Sequence, residues 1–465
     1  MLSRKKSLLT AFVIVLIAAF MLAACGTQTG GGKADANQSA AGEAPAKSAA
    51  VSGKVTHFTT NLEDKLYIKE LMADFQKKYP DIQMEFLTAP ENEFDTKLQT
   101  LVAGGTPPDV TSHYAFAGFT EHYAKGLLMD LTPLMKDIGY DPVKEGIPED
   151  LLKIYTINGK TYGIPVSAYV SLIAYNKDLF DKANIPYPTA DYEDKSWTFD
   201  KLVELGQKLT IKSDDLAKSQ FGLDFTWAER DMRPVYFGAK VYSDDTWTNG
   251  GQPSECYFDS PEVVKAQQVW ADLMHKSGVM PTPEESRGLT GAGDQQGDPF
   301  ASGKVAMSVA GSWLIADAGS LPFSLGIAAI PIGGDEKVRD VLFVDPLFIL
   351  KGSKNPDGAM TWIQFMASKE AQEKAIDISG NPPANRLASE KYYNSIEGVD
   401  PEVVKQVVEG GIKYGIESYN HLIDNYSMIN DIVTNEYQLI ENKNEPVENV
   451  MKEVQTKITK ILKKD

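Results

Sequence analysis

Apolar residues recur at strand spacing and helix spacing in alternation along the chain after residue 53. Residues 55–60 and 82–87 form the short apolar runs typical of strands, and the residues between them repeat apolar positions at helical spacing up to Pro80. A second helix is predicted over 93–103, and a third strand begins at Asp109. Alternation of this kind predicts a mainly parallel sheet with helices on both faces.

A second α/β series follows a predicted hairpin around Asn158-Gly159. Its strands are predicted over 171–176, 221–225, 305–310 and 323–329, and its helices over the segments that Thr198 caps and that Pro261 begins. Residues 341–350 form an apolar run that only Asp345-Pro346 interrupts. The last ~65 residues are predicted to be wholly helical, since their apolar positions keep helical spacing.

The segment 300–313 combines a turn, a short apolar strand and the sequence Gly311-Ser312-Trp313, at which the strand stops. Ligands of open α/β sheets bind beyond the carboxyl ends of the strands. A large aromatic ring that follows a glycine at such a strand end can lie flat against a ligand. We therefore interpret Trp313 as the floor of a carbohydrate site, with a Trp that only caps the core as the alternative.

The start of the chain predicts export. Three cations at residues 4–6 precede a charge-free apolar run over 8–24, which is the pattern of a secretory signal peptide over residues 1–24. Leu22-Ala-Ala-Cys25 resembles the bacterial lipobox, and the resemblance implies cleavage before Cys25 and acyl chains on its sulfur; an uncleaved membrane anchor is the alternative. Residues 26–50 contain no aromatic residue, Val, Leu or Ile, so together with Cys25 the segment 25–50 is interpreted as a lipidated, flexible linker.

Composition narrows the range of partners. Removal of the signal peptide takes away three cations and no acids, so the formal net charge moves from −18 to −21. A strongly acidic body argues against nucleic acid and anionic lipid as partners. Cys256 is the one cysteine left once Cys25 carries lipid, which excludes an intrachain disulfide. The five His residues stand singly, without metal-ligand spacing, and neither a metal nor a cofactor is predicted.

Six segments, in the same order, resemble the extracellular solute-binding proteins of family 1, the carbohydrate-binding group of ABC importers that includes maltodextrin-binding protein. The segments are 98–110, 158–165, 171–180, 197–202, 300–313 and 380–386. The resemblance implies a two-lobed α/β fold of the type II periplasmic-binding-protein class, with the ligand in a cleft between the lobes. It implies three hinge crossovers, near Ser167, Asp345 and Pro383. Lobe 1 is then 51–167 plus 346–383, and lobe 2 is 168–345 plus 384–465.

The resemblance also implies a set of ligand-contacting residues. Trp313 matches the sugar-stacking Trp of the family, and Tyr169 lies at the first crossover, where maltodextrin-binding protein carries an acid. Asp345 is expected either to bind ligand or to cap the hinge, and Arg386 either to bind ligand or to form a salt bridge at a helix N-terminus. The further candidates follow strand ends or lie in loops that reach the cleft: Asn61, Glu91, Glu93, Tyr114 and Trp227, with Tyr419, His421 or Tyr426 as a further, loosely aligned aromatic position.

The function implied is capture of a carbohydrate, in particular an oligosaccharide, by lobe closure, and its delivery to the ABC permease by a lipid-anchored monomer at the outer face of the cell membrane. A binding protein for a polyamine or a peptide is the first alternative, since the acidic surplus suits polyamines. An extracellular glycosidase is the second, but with 64 acids in the chain some carboxylate pair can always be found. The sequence has no serine-hydrolase elbow, P-loop or dinucleotide fingerprint, so a binding protein is predicted rather than an enzyme.

Overall fold

The computed structural model describes residues 51–61, 68–112, 118–225, 229–247, 249–290 and 298–463, apart from the side chain of Asp317. The predictions for the signal peptide, for Cys25 and the linker that follows it, and for Tyr114 and Trp227 lie outside the described residues.

The strands occur where the apolar runs predict them, except that the strand predicted over 171–176 already begins at Gly163 and that one strand is added. They are β1 (Gly53–Thr60), β2 (Ile82–Ala89), β3 (Val110–Thr111), β4 (Thr156–Ile157), β5 (Lys160–Thr161), β6 (Gly163–Asn176), β7 (Phe221–Asp224), β8 (Val305–Gly311), β9 (Leu325–Ala328), β10 (Asp340–Ile349) and β11 (Gly415–Glu417). The addition is β11, so the prediction of a wholly helical C-terminal part is wrong at that point. A three-residue strand leaves no periodic signal, and β11 forms only because it pairs with β10.

The helices predicted between β1 and β2, over 93–103, after Thr198 and from Pro261 are present, and the structure adds others that the pattern did not predict. They are α1 (Lys69–Lys78), α2 (Phe94–Ala103), α3 (Phe119–Ala124), α4 (Thr132–Ile138), α5 (Glu149–Ile154), α6 (Lys177–Ala183), α7 (Phe199–Leu209), α8 (Pro261–His275), α9 (Pro283–Thr290), α10 (Pro356–Met366), α11 (Lys369–Ser379), α12 (Ser389–Tyr393), α13 (Pro401–Tyr414), α14 (Tyr419–Leu422), α15 (Tyr426–Glu441) and α16 (Val447–Leu462). Short 3-10 helices cover Glu91–Glu93, Leu216–Lys218, Arg233–Phe237, Ser312–Ser320 and Arg386–Ala388.

Local sequence explains several of these boundaries. The Thr198 hydroxyl accepts a hydrogen bond from Lys201 N at 3.2 Å, and so caps α7 as predicted. At the predicted hairpin, Asn158 and Gly159 have φ angles of 51° and 74°, the left-handed pair that a two-residue turn between β4 and β5 requires. None of the helices in the described ranges is both long enough and apolar enough to cross a membrane.

The sheet is mixed, not mainly parallel as predicted. Its nine strands run in the order β2-β1-β3-β10-β6-β8-β7, with β11 beside β10 and β9 beside β6. The outer pairs are parallel, but β10 and β6 run antiparallel to each other, and β6 also runs antiparallel to β8 and β9. The first half of the 14-residue strand β6 pairs with β10 and its second half with β8 and β9, so this one strand connects the two α/β series.

Candidate functional site

Three chain segments meet at the centre of the sheet, at the positions predicted for the crossovers. Ser167 of β6 pairs with Asp345 of β10, and Ser167 also forms a bridge with Pro383. The ladder between β6 and β10 shifts register between Asp345 and Pro346, since a proline has no N–H to donate. The three predicted crossover residues are therefore neighbours in space.

An aromatic cluster lies beside this junction. Tyr169 and Phe343 face each other across β6 and β10, and the Trp313 ring lies 5.8 Å from the Tyr169 ring and 5.1 Å from the Phe343 ring, centroid to centroid. All three side chains are half-buried, whereas their neighbours in the two strands are buried. Because Tyr169 and Phe343 are directly paired across the two strands, their rings share one face of the sheet, and the Trp313 ring packs against both.

The sequence Gly311-Ser312-Trp313 explains how the indole is held in place. A β-carbon on Gly311 would lie 2.0 Å from Cζ3 of Trp313, so the six-membered ring rests directly on the glycine. The buried Ser312 hydroxyl accepts a hydrogen bond from Val170 N at 3.1 Å, which ties the start of the 3-10 helix to the middle of β6. Gly311, which has no side chain, leaves room for the indole, and the buried hydrogen bond of Ser312 holds the backbone next to Trp313 in place.

Polar groups adjoin the aromatic cluster. Asp345 is half-buried and lies two residues beyond Phe343, on the same strand face. The His421 ring lies 6.5 Å from the Phe343 ring. Burial lowers the pKa of His421 to about 4, although the nearby Asp345 carboxylate acts in the opposite direction. The imidazole is therefore neutral near pH 7, and it can serve as a hydrogen-bonding group rather than as a cation.

Glu417 holds His421 against β10. Its Oε1 atom contacts Nδ1 of His421 and accepts a hydrogen bond from Val344 N at 3.1 Å. Burial raises the pKa of Glu417 well above its usual range, so both partners favour their uncharged forms. The Tyr155 hydroxyl donates to Val344 O at 2.5 Å. Strand β10 pairs with β11 before Val344 and with β3 after it. At Val344 itself, the side chains of Glu417 and Tyr155 take the place of a neighbouring strand as hydrogen-bond partners.

Helix α3 approaches this region from the other α/β series. A β-carbon on Gly118 would lie 2.2 Å from Asn420 O, so the backbones of the α3 N-terminus and of α14 are in contact. The Thr120 hydroxyl also lies 3.5 Å from His421 O. The predicted ligand residue Tyr114 belongs to segment 113–117, immediately before α3. The segment that contains Tyr114 therefore leads into α3, which contacts α14, the helix that contains His421.

The remaining predicted residues in the described ranges are not part of the aromatic cluster. Three of them lie together at one edge of the sheet. Asn61 directly follows β1, and Glu91 and Glu93 follow β2, which pairs with β1 in the register Thr60–Ala89. All three side chains are exposed at the carboxyl ends of these strands. Arg386 is also exposed, at the start of a 3-10 helix three residues past Pro383. Ligand contact by these four residues stays a prediction.

Sequence reasoning missed Phe343 and Glu417 and gave His421 only as a loose candidate. For Phe343 a signal was present, because it precedes Asp345 by two residues and so shares its face in any strand over 341–350. For Glu417 and His421 no local signal exists, since both reach the site through the pairing of β11 with β10. Within the described residues, no group of three His, Cys, Asp or Glu side chains is placed to hold a metal ion.

Comparison with known proteins assigns the fold and the family. The model of the bacterial extracellular solute-binding protein family matches residues 59–373. A putative binding protein of Brucella abortus is 25% identical over 408 residues, which is 86% of this chain and 90% of that protein. The mannitol-binding protein of Pseudomonas aeruginosa is 26% identical over 378 residues, covering 75% of this chain and 80% of its own length.

A solved structure supports the same assignment. An ABC substrate-binding protein of Listeria monocytogenes, in complex with cycloalternan, matches with a TM-score of 0.74 at 25% identity, over 88% of this chain and 99% of its own. The predicted two-lobed α/β fold of the type II periplasmic sugar-binding class is confirmed.

Proposed function

Because this chain belongs to the bacterial extracellular solute-binding protein family, we propose that it captures a carbohydrate, in particular an oligosaccharide, and delivers it to ABC permease subunits in the membrane. The ligand enters the cleft between lobe 1 (51–167 plus 346–383) and lobe 2 (168–345 plus 384–465), and the lobes close around it by bending at the three crossovers. Tyr114 and Trp227 contribute further aromatic surface from the two sides of the cleft.

The observation that carries this proposal is the half-buried cluster of Trp313, Tyr169 and Phe343 beside the crossover strands. A pyranose has apolar C–H faces, and an aromatic plane covers such a face while it sheds water from its own surface. Gly311 and Ser312 hold the indole rigidly, so little side-chain entropy is lost when ligand binds. A core Trp would be fully covered, as Trp270 and Trp362 are at 1% and 0% exposure.

The polar groups of the site suit hydroxyl-rich ligands. Asp345 offers a carboxylate to ligand hydroxyls, which forms charge-assisted hydrogen bonds. The neutral imidazole of His421 adds a group that can donate or accept. The relatives point in the same direction, because one is named for mannitol and another was solved with cycloalternan, and both compounds are rich in hydroxyl groups.

We propose the same cellular arrangement as the sequence suggests. Acyl chains on Cys25 anchor the protein at the outer face of the cell membrane, and residues 26–50 tether the body. Burial of acyl chains in the bilayer contributes roughly 0.8 kcal/mol per CH₂. The protein acts as a monomer, and it releases its ligand to the permease without breaking a bond in it.

Calorimetric titration of residues 50–465, which form one compact unit, against a panel of neutral oligosaccharides tests the proposal. We expect saturable binding of at least one oligosaccharide and a higher melting temperature in its presence. Binding of a polyamine or a peptide, with no response to any sugar, would overturn the ligand class. Hydrolysis of a glycoside by the purified protein would instead favour the glycosidase alternative.

A further inference from the structure

A cavity of about 120 Å³ lies apart from the aromatic cluster, between the end of β7, the 3-10 helix Arg233–Phe237, α9 and the C-terminal end of α15. Its lining includes Arg230, Arg233 and Arg287. The whole sequence contains six arginines among its 46 basic residues. Half of the arginines of a strongly acidic, lysine-rich chain therefore surround one small cavity, which we call the arginine cavity.

Arginine differs from lysine in the geometry of its donors. The planar guanidinium presents its N–H groups as a fork that matches the two oxygens of a carboxylate, sulfate or phosphate group. Most basic residues of this chain are lysines, which lack this paired donor geometry, so the geometry is available only at its few arginines. The selective use of arginine here indicates recognition of an oxyanion rather than general solubility.

One carboxylate of the protein, that of Glu441, already binds two of the three arginines. Glu441 accepts hydrogen bonds from Nε and Nη2 of Arg230, at 3.1 and 2.8 Å, and from Nη1 of Arg233 at 2.8 Å. Burial opposes ionisation of Glu441, but the two guanidiniums hold its pKa below the usual range. Glu441 is therefore a charged, fully used partner that fixes the directions of Arg230 and Arg233.

The arginines keep unused capacity beyond Glu441. Arg233 is only 7% exposed, and its Nε has no hydrogen-bond partner in the part of the chain that the structure describes. Arg287, an exposed residue of α9, lines the same cavity. Among the residues that the structure describes, the lining has the carboxylates of Glu441 and Asp224, so three guanidiniums face two acids there. Counted over those residues, the lining has one more basic than acidic side chain.

We propose that the arginine cavity binds the oxyanion group of a ligand: a carboxylate, sulfate or phosphate bearing about one negative charge. The volume is large enough to admit one such group. The group comes either from a free small anion or from an acidic substituent of the captured saccharide. The second source rests on the proposed function.

Titration with D-galacturonate, D-galactose and sodium sulfate at constant ionic strength tests this site in the full-length protein. Galacturonate and galactose differ only by the carboxylate. We expect galacturonate or sulfate to bind saturably, galactose to bind at least ten-fold more weakly than galacturonate, and Arg287→Gln to weaken binding of the anion at least ten-fold. Arg287 is exposed, so the variant should fold, and its melting temperature without ligand checks this.

The matched control is Arg339→Gln, because Arg339 pairs with Asp335 away from the cavity; it should leave anion affinity within two-fold. Sulfate binding that depends on Arg287 identifies a free anion. Binding of galacturonate but not sulfate, lost in both Arg287→Gln and Trp313→Ala, identifies a substituent of the sugar. Absence of saturable anion binding, or equal affinities in Arg287→Gln and the wild type, overturns the proposal. Since neutral oligosaccharides are titrated separately, their failure would refute the proposed function without touching this site.

Discussion

Replacement of Trp313 by alanine removes the largest ring of the aromatic cluster while it leaves the strands beneath unchanged. The ring rests on Gly311 and lies edge-on to Tyr169 and Phe343. Truncation at Cβ therefore removes the flat surface proposed to stack on the sugar. Ser312 keeps its hydrogen bond to Val170 N, so the backbone at the strand end stays in place.

The expected loss follows from the area that remains uncovered. Because one side of the indole is already packed, a sugar face can cover roughly 80 Å² of it, and at about 25 cal/mol per Å² this corresponds to about 2 kcal/mol. A change of this size raises Kd about 30-fold. Losses of 2 kcal/mol or more are also usual when a buried aromatic anchor of an interface is truncated.

Calorimetric titration of the wild type and of Trp313→Ala with the oligosaccharide found to bind measures this loss directly. Tyr187→Ala is the matched control, because Tyr187 is an aromatic residue with 45% exposure that packs near Tyr175 and Phe180 instead of at the crossovers. We expect Tyr187→Ala to leave Kd within two-fold. A folded Trp313→Ala protein whose Kd also stays within two-fold of the wild type would refute the reasoning and make Trp313 a residue of the core.

Three further predictions concern the support of the site, the stability of the fold and the anchor. Gly311→Ala places a methyl group inside the indole position, so we expect a lower melting temperature and a sugar affinity reduced at least ten-fold; calorimetry that shows wild-type affinity would contradict the role of Gly311 as the seat of Trp313. Burial raises the pKa of Asp340 to about 8, so the native state keeps a proton that the unfolded chain releases above about pH 4. The contribution of this group to the free energy of unfolding then falls as the pH rises from about 4 to about 8. Urea unfolding of Asp340→Asn over that range should show a weaker dependence of stability on pH than the wild type. The same pH dependence in both proteins would contradict the raised pKa of Asp340. Cys25→Ser should move the protein from the membrane fraction to the medium, as cell fractionation and immunoblotting would show; retention in the membrane would favour the uncleaved anchor.

Local pattern was enough to predict most elements of this fold. The Asn158-Gly159 turn, the cap of α7 by Thr198 and the apolar runs of the strands depend on neighbours within a few residues, and the structure confirms them. The motif Gly311-Ser312-Trp313 also predicted where a strand ends and an aromatic ring follows. Strand direction could not be predicted in the same way, because the antiparallel pairing of β6 and β10 joins residues almost 180 positions apart.

By itself, the sequence determined the alternation of strands and helices, the family, and the candidate residues Trp313, Tyr169 and Asp345. Tertiary structure brought Phe343 and His421 to them, and it alone decided that Arg230 and Arg233 meet Glu441 more than 200 residues away along the chain. The physical reason is the range of the forces that act. Backbone preference and apolar periodicity are properties of short segments, whereas register, burial and charge pairing depend on which distant segments the folded chain brings into contact.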